Sequence, residues 1–243
     1  MCRAVLLLLA LAPLSAFAYR PFDSTDADVA PKGEFELELG PVGWLREGLH
    51  RFRIAPAMIA NFGLSGGREL VIQGQRQVSL DAESGAPRSA IVENGVFIKH
   101  VLREGVLQDK PGWSIATEYG FLLPATRGQS GTGVSVAGIA SQRGSAGTIH
   151  LNTVASYSRE HRPELFLGAI IEGPHEWPLR PVAEIFSDRT SGGDRTRSRL
   201  IGAIWRMREG LSFDVGIRNA RTDSDSIHEF RLGFTWSYAF KEH

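Results

Sequence analysis

The chain has 243 residues and carries 27 basic and 27 acidic side chains, so it lacks the basic surplus of a nucleic-acid binder. Hydrophobic residues make up 42% and charged residues 22%, which excludes wholesale disorder. The one cysteine, Cys2, excludes a disulfide framework, a cysteine-based zinc site and a thiol enzyme in the body of the chain.

The first eighteen residues read as a secretory signal peptide. Arg3 supplies a short positive region, residues 4–12 are apolar, and Ala16-Phe17-Ala18 is a small-x-small cleavage signal. Pro13 breaks the apolar run, which is too short for a comfortable membrane anchor. Cleavage after Ala18 leaves residues 19–33 as a periplasmic N-terminal segment ahead of the first strand. No later segment approaches the ~18 consecutive apolar residues of a transmembrane helix.

From residue 34 onward the pattern has period two. The alternation predicts about twelve strands: 34–40, 51–60, 68–78, 90–101, 114–123, 133–142, 148–158, 164–172, 179–187, 198–207, 211–219 and 229–240. Turn-rich stretches separate them, such as Asp81 to Arg88, Thr126 to Thr132, Asp188 to Thr196 and Arg221 to Ser226. The last segment is the clearest. Phe230, Leu232, Phe234, Trp236, Tyr238 and Phe240 alternate with small or polar residues. No linker interrupts residues 34–240, so one domain is the economical reading, with 241–243 as a short tail.

A soluble β-sandwich would bury the apolar faces, whereas a membrane barrel would turn them to lipid and its polar faces to the lumen. The segments are near the 9–11 residues that cross a bilayer at a tilt. The last strand contains Arg231, Gly233, Trp236 and Tyr238, a polar-x-Gly-x-x-aromatic-x-aromatic pattern that resembles the assembly signal of bacterial outer-membrane barrels; the tail Lys241-Glu242-His243 departs from it. A closed barrel is also the only sheet that can span lipid with every backbone group paired. The expectation is an all-β fold, a transmembrane antiparallel up-and-down barrel of about twelve strands in the outer membrane of a Gram-negative bacterium. Both termini are then periplasmic. Its partners are outer-membrane lipid, the barrel-assembly machinery through strand 229–240, and a small solute. Trp44, Trp113, Trp177, Trp205 and Trp236 fall mostly near strand ends, as an interfacial girdle requires.

The inward faces carry the candidate lumen residues. Glu34, Glu36 and Glu38 face inward if Phe35, Leu37 and Leu39 face lipid. On the next strand, Phe52 and Ile54 outward put Arg51 and Arg53 inward, in a register pairing Glu38 with Arg51 and Glu36 with Arg53. Glu118, His150, Asn152, Arg180, Glu184, Asp214, Arg218 and Arg231 complete the predicted lining. Such charges either form a constriction that selects solutes or neutralise one another and fill a narrow lumen.

Short motifs across most of the mature chain resemble a transporter family. They are Arg20-Pro21-Phe22, Thr25-Asp26-Ala27-Asp28, Gly33-Glu34-Phe35-Glu36-Leu37-Glu38, Asn61-Phe62-Gly63-Leu64-Ser65, Leu123-Pro124, His150-Leu151-Asn152 and Arg231 to Trp236. The family is a set of outer-membrane transporters associated with the MetA pathway of phenol degradation. The resemblance implies an outer-membrane barrel of about twelve strands; it brings no catalytic residues and no solute.

A hydrolytic reading would rest on His150, Asn152 and Ser156, which share one face. Positions 150 and 156 lie about 20 Å apart along a strand, too far for a nucleophile and its base. His175-Glu176 and the acidic loop residues lack the further ligands of a metal site. The sequence reading is therefore a transporter or channel for a small solute or hydrophobic compound, without cofactor or enzymatic activity. The alternatives are a plugged structural or surface-interaction barrel and, less favoured, an outer-membrane lipid hydrolase.

Overall fold

A computed structural model describes residues 20–81 and 88–240; the expected signal peptide and the C-terminal tail lie outside the described residues. Twelve strands occur among them: β1 (Glu34–Glu47), β2 (His50–Leu64), β3 (Arg68–Ser79), β4 (Ser89–Arg103), β5 (Ser114–Leu122), β6 (Gly133–Gly144), β7 (Gly147–Tyr157), β8 (Pro163–Glu172), β9 (Leu179–Thr190), β10 (Arg195–Arg208), β11 (Leu211–Arg221) and β12 (Ser226–Ala239). Each pairs antiparallel with its sequence neighbour, and β1 pairs with β12, so the sheet is a closed barrel. Closure removes the unpaired edges that an open sheet would present. An even number of strands brings both ends of the barrel chain to one rim, where Glu34 lies opposite Ala239.

The exterior is apolar. Ile201 is 66% exposed, Ile185 64%, Ile171 60% and Phe121 58%. A sandwich would have buried these side chains; a continuous apolar exterior needs a non-aqueous surrounding. All five tryptophans are exposed. The interior is polar, with Glu38, Lys99, His150, Arg180, Glu184 and Asp214 all buried. No helix among the described residues is long and apolar enough to cross a membrane.

The first strand is longer than alternation predicts. The alternation ends at residue 40, yet β1 continues to Glu47 through a bulge between Leu39 and Val42. The neighbouring strand is irregular at the same level, between Ile54 and Ala57, where Pro56 lacks an N–H to give to the ladder. The two irregularities keep β1 and β2 in register, pairing Gly40 with Ala57 and Gly43 with Ile54. They also reverse which side chains point inward above that level.

Candidate functional site

The N-terminal segment, expected as a periplasmic stretch, runs inside the barrel. Residues 20–31 touch the inner wall strand by strand. Arg231 on β12 donates to the Pro21 carbonyl oxygen (2.7 Å). Phe22 packs on Val182 of β9 and Ile204 of β10. The Ser24 amide donates to Glu184 Oε1 on β9 (2.7 Å), and the Thr25 amide to Asn152 Oδ1 on β7 (3.1 Å). Asn152 Nδ2 donates back to the Thr25 carbonyl (2.7 Å), and the Ala27 amide donates to Ser141 Oγ on β6 (3.0 Å). Lys99 on β4 meets Asp26 at 3.3 Å, and the Ala30 amide donates to Glu69 on β3 (2.7 Å). The segment then joins β1. Twelve residues reach at most about 40 Å, enough for one circuit of a narrow lumen. It forms an internal belt.

The wall is cut to seat this belt. A Cβ at Gly63 on β2 would overlap the Pro31 carbonyl oxygen, and one at Gly233 on β12 would overlap the Arg20 side chain. Only glycine permits so close an approach of backbone and belt. A 3₁₀ turn (Val106–Gln108) in the β4–β5 connector closes in from the rim that holds the strand termini. Gln108 donates to the Ala27 carbonyl (2.9 Å), and Leu107 packs with Ala27, Ala116, Ala137 and Ile139.

Charge divides the lumen in two. Near β11 and β12, Arg231 meets Asp23 (2.9 Å) and Glu229 (2.8 Å), and Arg218 meets Asp23 (3.4 Å) and Glu229 (3.0 Å). Burial pushes the Asp23 carboxyl up, but Arg231, Arg218 and Arg20 together outweigh burial and hold it below its usual value. On the β1–β5 side a cavity of about 100 Å³ remains, walled by Asp26, Asp28, Glu34, Glu36, Glu38, Glu69 and Glu118 around Lys99. Asn61 donates to Glu38 Oε1 (3.0 Å), whereas Glu38 Oε2 and Glu34 Oε2 have no donor among the described residues. Burial, and then the neighbouring Asp26, push the Asp28 carboxyl up to about 7. A second space of about 10 Å³ lies among His150, Glu172, His175 and Arg180. Burial and the surrounding Arg143, Arg180 and Arg206 push the His175 imidazole down to about 4, so it is neutral at neutral pH.

Of the predicted lumen residues, Glu34, Glu36, Glu38, Glu118, His150, Asn152, Arg180, Glu184, Asp214, Arg218 and Arg231 sit on the inward face. Arg51 and Arg53 do not, which corrects the expectation. They pair with Arg46 and Trp44 on the outward face, and Phe52 and Ile54 point inward opposite Leu45 and Gly43. Glu36 and Glu38 lie opposite Asn61 and Ile59 instead of the two arginines. The irregularity at Ala55-Pro56 is the cause, since one skipped position turns every later side chain to the other face. Arg51 instead pairs with Asp81 at 2.6 Å.

Sequence reasoning missed Lys99, Glu69, Ser141 and Glu172. His150 Nδ1 shares a hydrogen bond with Ser141 (2.8 Å), not with Ser156, and its Nε2 lies 3.7 Å from Glu172. Ser141 has no exposed surface and also accepts from Ala27, so this line of side chains braces the belt and offers no nucleophile to a substrate. Among the described residues no group of three or more His, Cys, Asp or Glu is placed to hold a metal.

No protein-family model matches the sequence, and no curated protein matches it. Solved structures do. The COG4313 outer membrane channel from Pseudomonas putida F1 is similar with a TM-score of 0.58 at 11% identity, covering 90% of this chain and 100% of that one. The KdgM porin in complex with disordered oligogalacturonate is similar with a TM-score of 0.54 at 10% identity, covering 84% of this chain and 99% of that one. At these identities the likeness shows the fold, a closed antiparallel β-barrel, and leaves the match to the phenol-pathway transporters unestablished.

Proposed function

We propose that the chain is an outer-membrane channel that its own N-terminal belt holds shut, and that it passes a small neutral or cationic solute when the belt withdraws. One observation carries this reading. Residues 20–31 circle the lumen on contacts to successive strands and leave a chamber of about 100 Å³, too small for more than a few waters. The apolar exterior and the fold shared with outer-membrane channels support the location. The chamber wall sets the solute class: eight carboxyl groups, Asp23 among them, line it with one lysine, which favours a cation over an anion.

A barrel blocked for good is the competing reading, and the number of belt anchors favours it. Conductance in planar bilayers separates the two. The refolded chain from Tyr19 is compared with one lacking residues 20–31, with heat-modifiable gel migration reporting barrel formation. The intact chain is expected to stay mostly closed and the deletion to conduct steadily. A heat-modifiable deletion barrel without conductance would make the protein a structural barrel.

A further inference from the structure

We infer that one half of the rim opposite the strand termini is a binding face for the phosphorylated headgroups of outer-leaflet glycolipid. The observation is a repeated like-charge pairing. Arg46 lies directly opposite Arg51, Arg189 opposite Arg195, and Arg197 opposite Arg221. Each pair lies on the outward face, and all six side chains are exposed. Like charges directly across a strand pair destabilise a sheet. Three such pairs fall on contiguous strands of the closed ring, from β9 through β12 to β2.

The protein supplies little to offset them. No outward position of β9, β10, β11, β12, β1 or β2 holds a carboxylate. Among the described residues, the only ion pair these six arginines make is Arg51 with Asp81. Two loop carboxylates approach the collar, Asp81 at Arg51 and Asp223 accepting from the Arg195 amide (3.0 Å), and the remaining positive charge is left to groups from outside. Below the arginines the same faces turn apolar, as Ile201 on β10, Phe230 on β12 and Trp44 on β1 show, so the basic collar sits where acyl chains give way to headgroups. A cleft of about 420 Å³ opens at this level. Arg46, Arg51, Arg218 and His228 line it together with Trp44, Ile217 and Phe230, and Glu229 is the one carboxylate among its lining residues, a set that suits a molecule with an anionic head and an apolar body. On the other half of the rim the outward face carries Phe121, Val134, Tyr157 and Leu165, with Arg76 facing Ile91 and no arginine opposite another.

This inference rests on the outer-membrane reading, and one experiment separates the two. The refolded chain from Tyr19 is inserted into phosphatidylcholine vesicles with and without diphosphoryl lipid A. Heat-modifiable migration reports the barrel, and native mass spectrometry reports retained lipid A. The wild type is expected to retain lipid A, Arg197→Gln with Arg221→Gln to lose roughly 10–30-fold in apparent affinity, and the corresponding lysine pair to keep it. Equal retention by the glutamine variant, or equal retention of dephosphorylated lipid A, overturns the binding face. Should that variant give no barrel, Arg46→Gln with Arg51→Gln carries the same readout on the β1–β2 pair. A wild-type chain that forms no barrel even in neutral vesicles sinks the membrane reading itself, a different failure from a barrel that forms and ignores lipid A.

Discussion

Asp28 sits where the belt passes from Lys99 toward Glu69. Asp26 lies beside it, Gln108 donates to its carboxylate (2.9 Å), and Glu118 and Arg143 approach from β5 and β6. Its pKa is raised from 3.8 to about 7, so the folded state prefers the protonated form. The stability this gives is complete below about pH 4 and is lost as pH rises through about 7. The expected result is a wild-type barrel whose thermal unfolding, followed by gel migration, shifts to lower temperature across that window. Asp28→Asn removes up to one proton's share of the dependence, about 1.4 kcal/mol per pH unit. An unchanged profile in the variant would place the dependence on other groups. The sequence shows Asp28 within a Thr-Asp-Ala-Asp cluster, yet nothing local reveals its surroundings, since Glu69, Lys99 and Gln108 arrive from distant elements.

At the scale of elements, β2 makes the sharpest test. Alternation read outward from its apolar residues puts Ile54 on the lipid side, and the structure puts it in the lumen at 4% exposure. The strands themselves, nine to fifteen residues long, were legible because period two recurs in each even where a bulge interrupts it. Their facing was legible wherever no bulge intervenes, as in β7 and β12. The failure has a visible signal, a proline inside a strand, which marks a place where the ladder breaks and the count of faces restarts. With no cysteine after Cys2, a single reporter can decide the matter. A fluorophore on Arg53→Cys is expected to be quenched by brominated lipid and one on Ile54→Cys to be spared; the reverse would restore the simple alternation.

On the scale of the whole molecule, the closed ring followed from strand number and from the aromatic last strand, whereas the belt did not. Residues 20–31 have no periodicity to read, and their only trace in the barrel sequence is glycine at inward positions such as Gly63 and Gly233. With the belt deleted, the acidic wall should govern permeation: the open barrel is expected to be cation-selective in a salt gradient, with the reversal potential moving toward zero when Glu36 and Glu38 become glutamine. A reversal potential of anionic sign would transfer control to Arg218 and Arg231. The belt also has a mechanical consequence. A ring of hydrogen-bonded strands resists stretching but flattens easily, and the surrounding bilayer squeezes it from every side. A segment braced against successive strands works as a hoop, holding the cross-section round; once it leaves, the same wall is free to become an ellipse, and the width of the passage is then set by the membrane as much as by the protein.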